Sequence, residues 1–238
     1  MAEILQLLRR DWPRYLLELI VIIFGISTSF MLNQWRIDRE DRKNEIRLLE
    51  SLQANLVADT TFIGREMRFL TNGLKIYGKA LASKDLSTLP QDSLGFFLTS
   101  IAAYSDFHYY DNAYQEMRST GNSKLISSKD LRSRIFQLYN SHYQKLIEWR
   151  SIDKQFVLER MIPYLEVHMP YTVDFVFIGS APSVARMSQL LAEDVQFKNM
   201  LKTNRLFKFS ILRLYKKTRE ETDSLLADIE TELVELRE

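Results

Sequence analysis

Three histidines, His108, His142 and His168, are the side chains best suited to bind a metal or relay a proton, and their spacing serves neither purpose. A helical metal site sets its ligands about one turn apart on a shared face, and no H-E-x-x-H or paired histidine–carboxylate helix motif occurs. His142 falls on an apolar stripe, where a hydrogen-bonded core residue is the expectation. The chain lacks a G-x-S-x-G turn that would expose a nucleophilic serine and a glycine-rich loop that would cradle phosphate. Cysteine is absent, which removes disulfides, thiolate catalysis and cysteine–metal sites. The sequence thus predicts no catalytic residue, no cofactor, no metal site and no enzyme activity. One aromatic cluster, Tyr104, Phe107, His108, Tyr109 and Tyr110, has the composition of a ligand pocket, although a corner of the core is the expectation there.

The remaining polar groups of interest lie inside an apolar run. From Tyr15 to Leu32 the chain is almost continuously apolar, with Glu18 as the one charge. A bilayer core needs roughly 20 such residues at helical rise. Trp12 and Trp35 flank the run where interfacial indoles belong, Asp11 can cap the first turn, and Pro13 suits a helix start. No small-residue cleavage site follows, which disfavours a signal peptide. We therefore expect a short interfacial segment over 1–14, a transmembrane helix over 15–35 and a helical soluble domain over 36–238. Glu18, Gly25, Ser29 and Leu32 share one face of that helix, with Thr28 beside it. Gly25 and Ser29 form a small-x-x-x-small pair that permits close approach of a second helix. Glu18 either sits inside such an oligomer or snorkels to water from near the boundary.

Net charge and its placement bound the partners. A formal charge of +1 over 238 residues provides no basic field for nucleic acid. Arg9, Arg10 and Arg14 precede the run, whereas Arg36, Arg39, Arg42, Lys43 and Arg47 follow it. A count of basic residues points the C-terminal side into the cytoplasm, but long domains translocate largely regardless of charge. The downstream basics are also interleaved with Asp38, Glu40, Asp41, Glu45 and Glu50. We place the protein in the cytoplasmic membrane as a single-pass chain with its domain outside.

The elements that follow are helical. Seven glycines and five prolines are too few for a turn-rich β fold. Leu49, Leu52, Leu56, Ile63, Met67, Leu70, Leu74, Tyr77 and Leu81 recur at three-four steps, broken only around Asp59 and Thr60, so one helix should run from the membrane to about Ser83. Residues 84–92, with Pro90, form the first loop, and a short helix covers 93–104. A second long helix starts near Ser127 or Ser128 and buries Leu131, Ile135, Leu138, His142, Leu146 and Trp149, with Pro163 kinking or ending it. Residues 171–182 are the least helical stretch, with a short strand or an apolar loop as the options. The last long helix carries Leu212, Tyr215, Thr222, Leu226, Ile229, Leu233 and Leu236, while Lys216, Lys217 and Arg219 read as its solvated face. The predicted fold is all-α: one N-terminal transmembrane helix continuing into an antiparallel bundle of long helices.

Two motifs resemble a known pattern. Glu18, Gly25, Asn33 and Trp35 match the spacing of an anchor, and Tyr114, Met117, Arg118, Ser119, Gly121, Leu125 and Ile126 match a second segment. Together they are similar to a family of uncharacterised single-pass membrane proteins common in Bacteroidota, a domain of unknown function. The chain departs from that anchor pattern at Leu17 and Gln34. The resemblance implies no activity. Physically, the second segment predicts a helix-turn-helix corner: Tyr114 to Ser119 helical, Gly121 ending the helix, and Ser127 or Ser128 capping the next.

The function expected from these features is that of a membrane-anchored interaction module, either a homo-oligomer or an accessory subunit of a larger membrane complex. A ligand-sensing bundle, or an ion-conducting oligomer lined by Glu18, Thr28 and Ser29, is the alternative. The lipid bilayer and other membrane subunits are the expected partners, and nucleic acid is not.

Overall fold

The computed structural model describes residues 2–83, 85–119, 125–169 and 181–238, and every regular element among them is a helix. The first, α1, is Ala2–Ala82. Beyond Pro13 no proline removes one of its ladder hydrogen bonds, so nothing local ends it until Ser83. Residues 2–14, expected as a short interfacial segment, are helical and continuous with the rest of α1. The chain divides into two compact units, Met1–Leu48 and Leu49–Glu238.

Within the second unit α1 is followed by α2 (Gln91–Ala102), α3 (Asn112–Ser119), α4 (Lys129–Gln137), α5 (Tyr143–Phe156), α6 (Ile162–His168), α7 (Ala181–Glu193) and α8 (Val195–Arg237). Two π turns, Leu138–His142 and Val157–Met161, splice α4, α5 and α6 into one rod. The rod runs past Pro163, which follows the second π turn at the start of α6, where its missing N–H costs least. The expected strand or loop over 171–182 lies outside the described residues up to 180, and its last two positions begin α7.

Side-chain pairs fix the helix directions. Glu50 meets Arg237, Thr60 meets Arg219 and Tyr77 meets Asn204, so α8 is antiparallel to α1. Asp153 meets Lys208 and Arg134 meets Asp228, so α8 is also antiparallel to the spliced rod. Asp59 meets Tyr143 and Glu66 meets Arg150, so α1 and that rod run parallel. A parallel neighbour needs a crossover, and the stretch carrying α2 and α3 provides it.

Of the seam of α1, Leu49, Leu52, Leu56, Ile63, Leu70 and Tyr77 are buried, while Met67, Leu74 and Leu81 are half-buried. At one end α2 inserts Phe97 and Ile101 among Met161, Leu165, Phe197 and Leu201. Full burial of such a side chain contributes about 1.5–3 kcal/mol. Each π turn carries one extra residue, which rotates the rod's inward face. Tyr143 and Arg150 consequently take the core positions expected for His142 and Trp149, which are only half-buried.

Candidate functional site

The first candidate surface is the apolar run of α1. One stretch of α1 near the N-terminus is long and apolar enough to cross a membrane, and none of its 18-residue window is buried within the chain. Glu18, Gly25 and Ser29 are exposed and Thr28 is partly covered. The Ser29 hydroxyl donates to the Gly25 carbonyl at 2.9 Å, so the serine satisfies its polar group inside its own helix. A Cβ added at Gly25 would meet nothing of its own chain within 4 Å. The small-residue notch is therefore open. Beyond the run, Gln34 donates to Asp38 at 2.7 Å and the Arg39 guanidinium lies over the Trp35 ring at 5.4 Å.

The second candidate lies inside the bundle of residues 49–238. Between α2 and α3 the chain is non-helical from Ala103 to Asp111, so its backbone groups must find partners elsewhere. Charged and polar side chains of the long helices supply them. Lys208 of α8 donates to the Ala103 carbonyl at 2.8 Å, and Tyr139 donates to the Tyr110 carbonyl at 3.1 Å. Asp59 of α1 accepts the Tyr110 N–H at 2.8 Å and the Tyr143 hydroxyl at 2.8 Å. Ser105 donates to Glu66 at 2.9 Å, and Glu66 is paired with Arg150, whose Nε donates to the Tyr215 hydroxyl at 3.1 Å. Phe107 anchors the middle of the segment edge-on against Tyr143 and Tyr215. The segment is a strap, held by the interior.

Burial sets the electrostatics. Asp59 is 1 % exposed, and desolvation lifts its carboxyl to about 6 against the opposing pull of the Tyr110 and Tyr143 donors. Desolvation likewise lowers Lys208, opposed by Asp153 at 3.2 Å, and raises Tyr139 and Tyr143 well above the usual phenol range. His142 is lowered by its partial burial. Asp59, Lys208, Tyr139 and Tyr143 are each occupied by a neighbour, which suits a clamp better than a reaction centre. Among the described residues no group of three histidines and carboxylates could hold a metal ion.

The aromatic cluster divides. Phe107 is buried and Tyr109 half-buried beneath it, while Tyr104 and Tyr110 are exposed. At the corner, Tyr114 is buried with its ring stacked 4.3 Å from Tyr139, and its hydroxyl accepts from Asn140 at 2.7 Å. Ser128 is the residue that caps α4, accepting the Leu131 N–H at 3.3 Å. Ser127 points elsewhere and donates to Glu232 at 3.2 Å. Gly121 lies outside the described residues. Asp59 and Lys208 were not expected as interior groups; the signal available for Asp59 is its place at the three-four step between Leu56 and Ile63.

No family model, curated protein or solved structure matches the chain. Function is therefore inferred from its own residues.

Proposed function

We propose that the protein is a membrane-anchored helical module that acts by association, its span packing against a second transmembrane helix through the Gly25/Ser29 face. The observation that carries this reading is the open notch at Gly25 on an apolar helix that the rest of its chain leaves uncovered. Close backbone approach at small residues is a principal source of helix affinity in lipid, where no hydrophobic force acts between spans. The rigidly clamped bundle fits a module that presents surfaces rather than turning over substrate. Localisation in the cytoplasmic membrane with the bundle outside, and a partner that is either a second copy or another membrane subunit, belong to the same proposal. So does membership of the uncharacterised single-pass family that the two motifs resemble.

Chemical cross-linking in native membranes tests it. Gly25→Leu keeps the span apolar and its Cβ meets nothing of its own chain within 4 Å, so it should insert normally yet lose the cross-linked species. An unchanged cross-linking pattern removes this face as the contact, and recovery of the chain in the supernatant of an alkaline carbonate wash removes the anchor itself.

A further inference from the structure

From Val195 to Arg219, α8 carries eight cationic residues and no acidic one. Lys208 is neutralised by Asp153 and Arg219 by Asp223, but Arg213 and Lys217 form no ion pair among the described residues. These two stand one turn apart, an arrangement that repels in an isolated helix. They line a groove of about 320 Å³ together with Ser210 and Leu214 of the same helix and Trp149 of α5. Ser210, Arg213, Leu214 and Lys217 follow the i, i+3, i+4, i+7 spacing of one helix face. The opposite wall is fixed, because the Trp149 ring meets Phe207 edge-on at 6.3 Å and Phe207 meets Phe156 at 5.4 Å.

The lining has a one-sided chemistry. The indole N–H, the guanidinium and the ammonium only donate, and the Ser210 hydroxyl is the one side-chain group there that can also accept. A cationic ligand would be repelled and a neutral one would leave the two like charges uncompensated, whereas an oxyanion accepts from these donors and offsets both charges. Leu214 and the indole face offer apolar surface beside the cations. The volume is at the low end of the roughly 300–1,000 Å³ found for small-molecule sites. We propose that this groove binds an oxyanion, a carboxylate or phosphate monoester, carried on a small apolar body. The site is independent of how the span associates.

Trp149 is its own reporter, since the other two of the three tryptophans, Trp12 and Trp35, flank the apolar run. The test uses the full chain carrying Trp12→Phe and Trp35→Phe in phosphatidylcholine nanodiscs, titrated with phenyl phosphate while indole emission is followed. A saturable change is expected. Replacing Arg213 and Lys217 together by Gln should weaken the apparent affinity about tenfold or more, because two charge-assisted contacts are lost. Lys202→Gln with Arg205→Gln removes the same charge from the same helix outside the groove and should leave the affinity within about twofold. A higher apparent Kd in discs containing phosphatidylglycerol would identify a lipid headgroup as the native occupant; an equal Kd would identify a free acid. No saturable change, an equal loss in both double variants, or inorganic phosphate binding as tightly as phenyl phosphate would overturn the proposal.

Discussion

The carboxylate of Asp59 and the backbone N–H of Tyr110 meet at 2.8 Å inside the bundle, joining the first long helix to a strap with no regular hydrogen bonding of its own. The same carboxylate accepts Tyr143 from the parallel rod. One buried acid thereby fixes three segments.

That position carries a pH signature. The folded protein raises the Asp59 carboxyl from 3.8 to about 6, so between those values the native state binds the proton more tightly than the unfolded chain. The stability Asp59 contributes is full below about pH 4, declines as pH rises to about 6, and is level above that. An asparagine there keeps an oxygen for the Tyr110 N–H and cannot ionise. Thermal melts followed by circular dichroism should show Asp59→Asn gaining stability relative to wild type as pH rises from about 4 to about 7. A difference in melting temperature that stays constant across that range would mean that Asp59 ionises as freely as it does in water.

The Asp153–Lys208 pair is predicted to be more costly to break than to erase. Both side chains are buried, at 0 % and 3 % exposure, and Lys208 also holds the Ala103 carbonyl. Asp153→Ala strands an ammonium in the core and should cost about 3–5 kcal/mol. Asp153→Leu combined with Lys208→Met should recover more than half of that loss in denaturant titrations. If the double variant is the less stable of the two, the ion pair contributes net stability beyond its own desolvation.

At the corner before α4 two adjacent serines should behave differently. Ser128 caps the helix, so Ser128→Ala should cost about 1 kcal/mol. Ser127 donates to Glu232 at the exposed surface and does not cap the helix, so Ser127→Ala should cost less, about 0.5 kcal/mol. Equal costs in thermal unfolding would contradict this assignment of the cap.

Much of this architecture is legible in the sequence, and the reasons for the rest are local. Periodicity locates Leu49 to Tyr77 as one seam because helical spacing and burial follow the same period. The interruption at Asp59 looks like a weak point in that seam, yet it is a core position whose partner lies far along the chain. Residue spacing also assumes a constant period. The π turn at Leu138–His142 adds a residue and shifts the stripe, which is why Tyr143 and Arg150 are interior and His142 and Trp149 are not. The strap's partners are non-local, so neither pattern nor propensity announces them. For Ser127 and Ser128, two good capping residues in succession left the boundary open to one position, and the φ/ψ of Ser128 decides it.

The most direct test of the association proposed for the span uses the absence of cysteine from the chain. Single cysteines placed in turn from Ile20 to Leu32 carry no background, and disulfide formation in oxidised native membranes reports which face meets a neighbour. Self-association through the notch predicts strong cross-linking at Val21, Gly25, Ser29 and Leu32 and weak cross-linking at Ile23, Ser27 and Phe30, with a period of three to four residues. Captured adducts with another membrane protein at the same positions would assign the face to a heteromeric partner. No cross-linking at any position would exclude self-association, and uniform cross-linking at every position would contradict a specific helix–helix contact and with it the central claim.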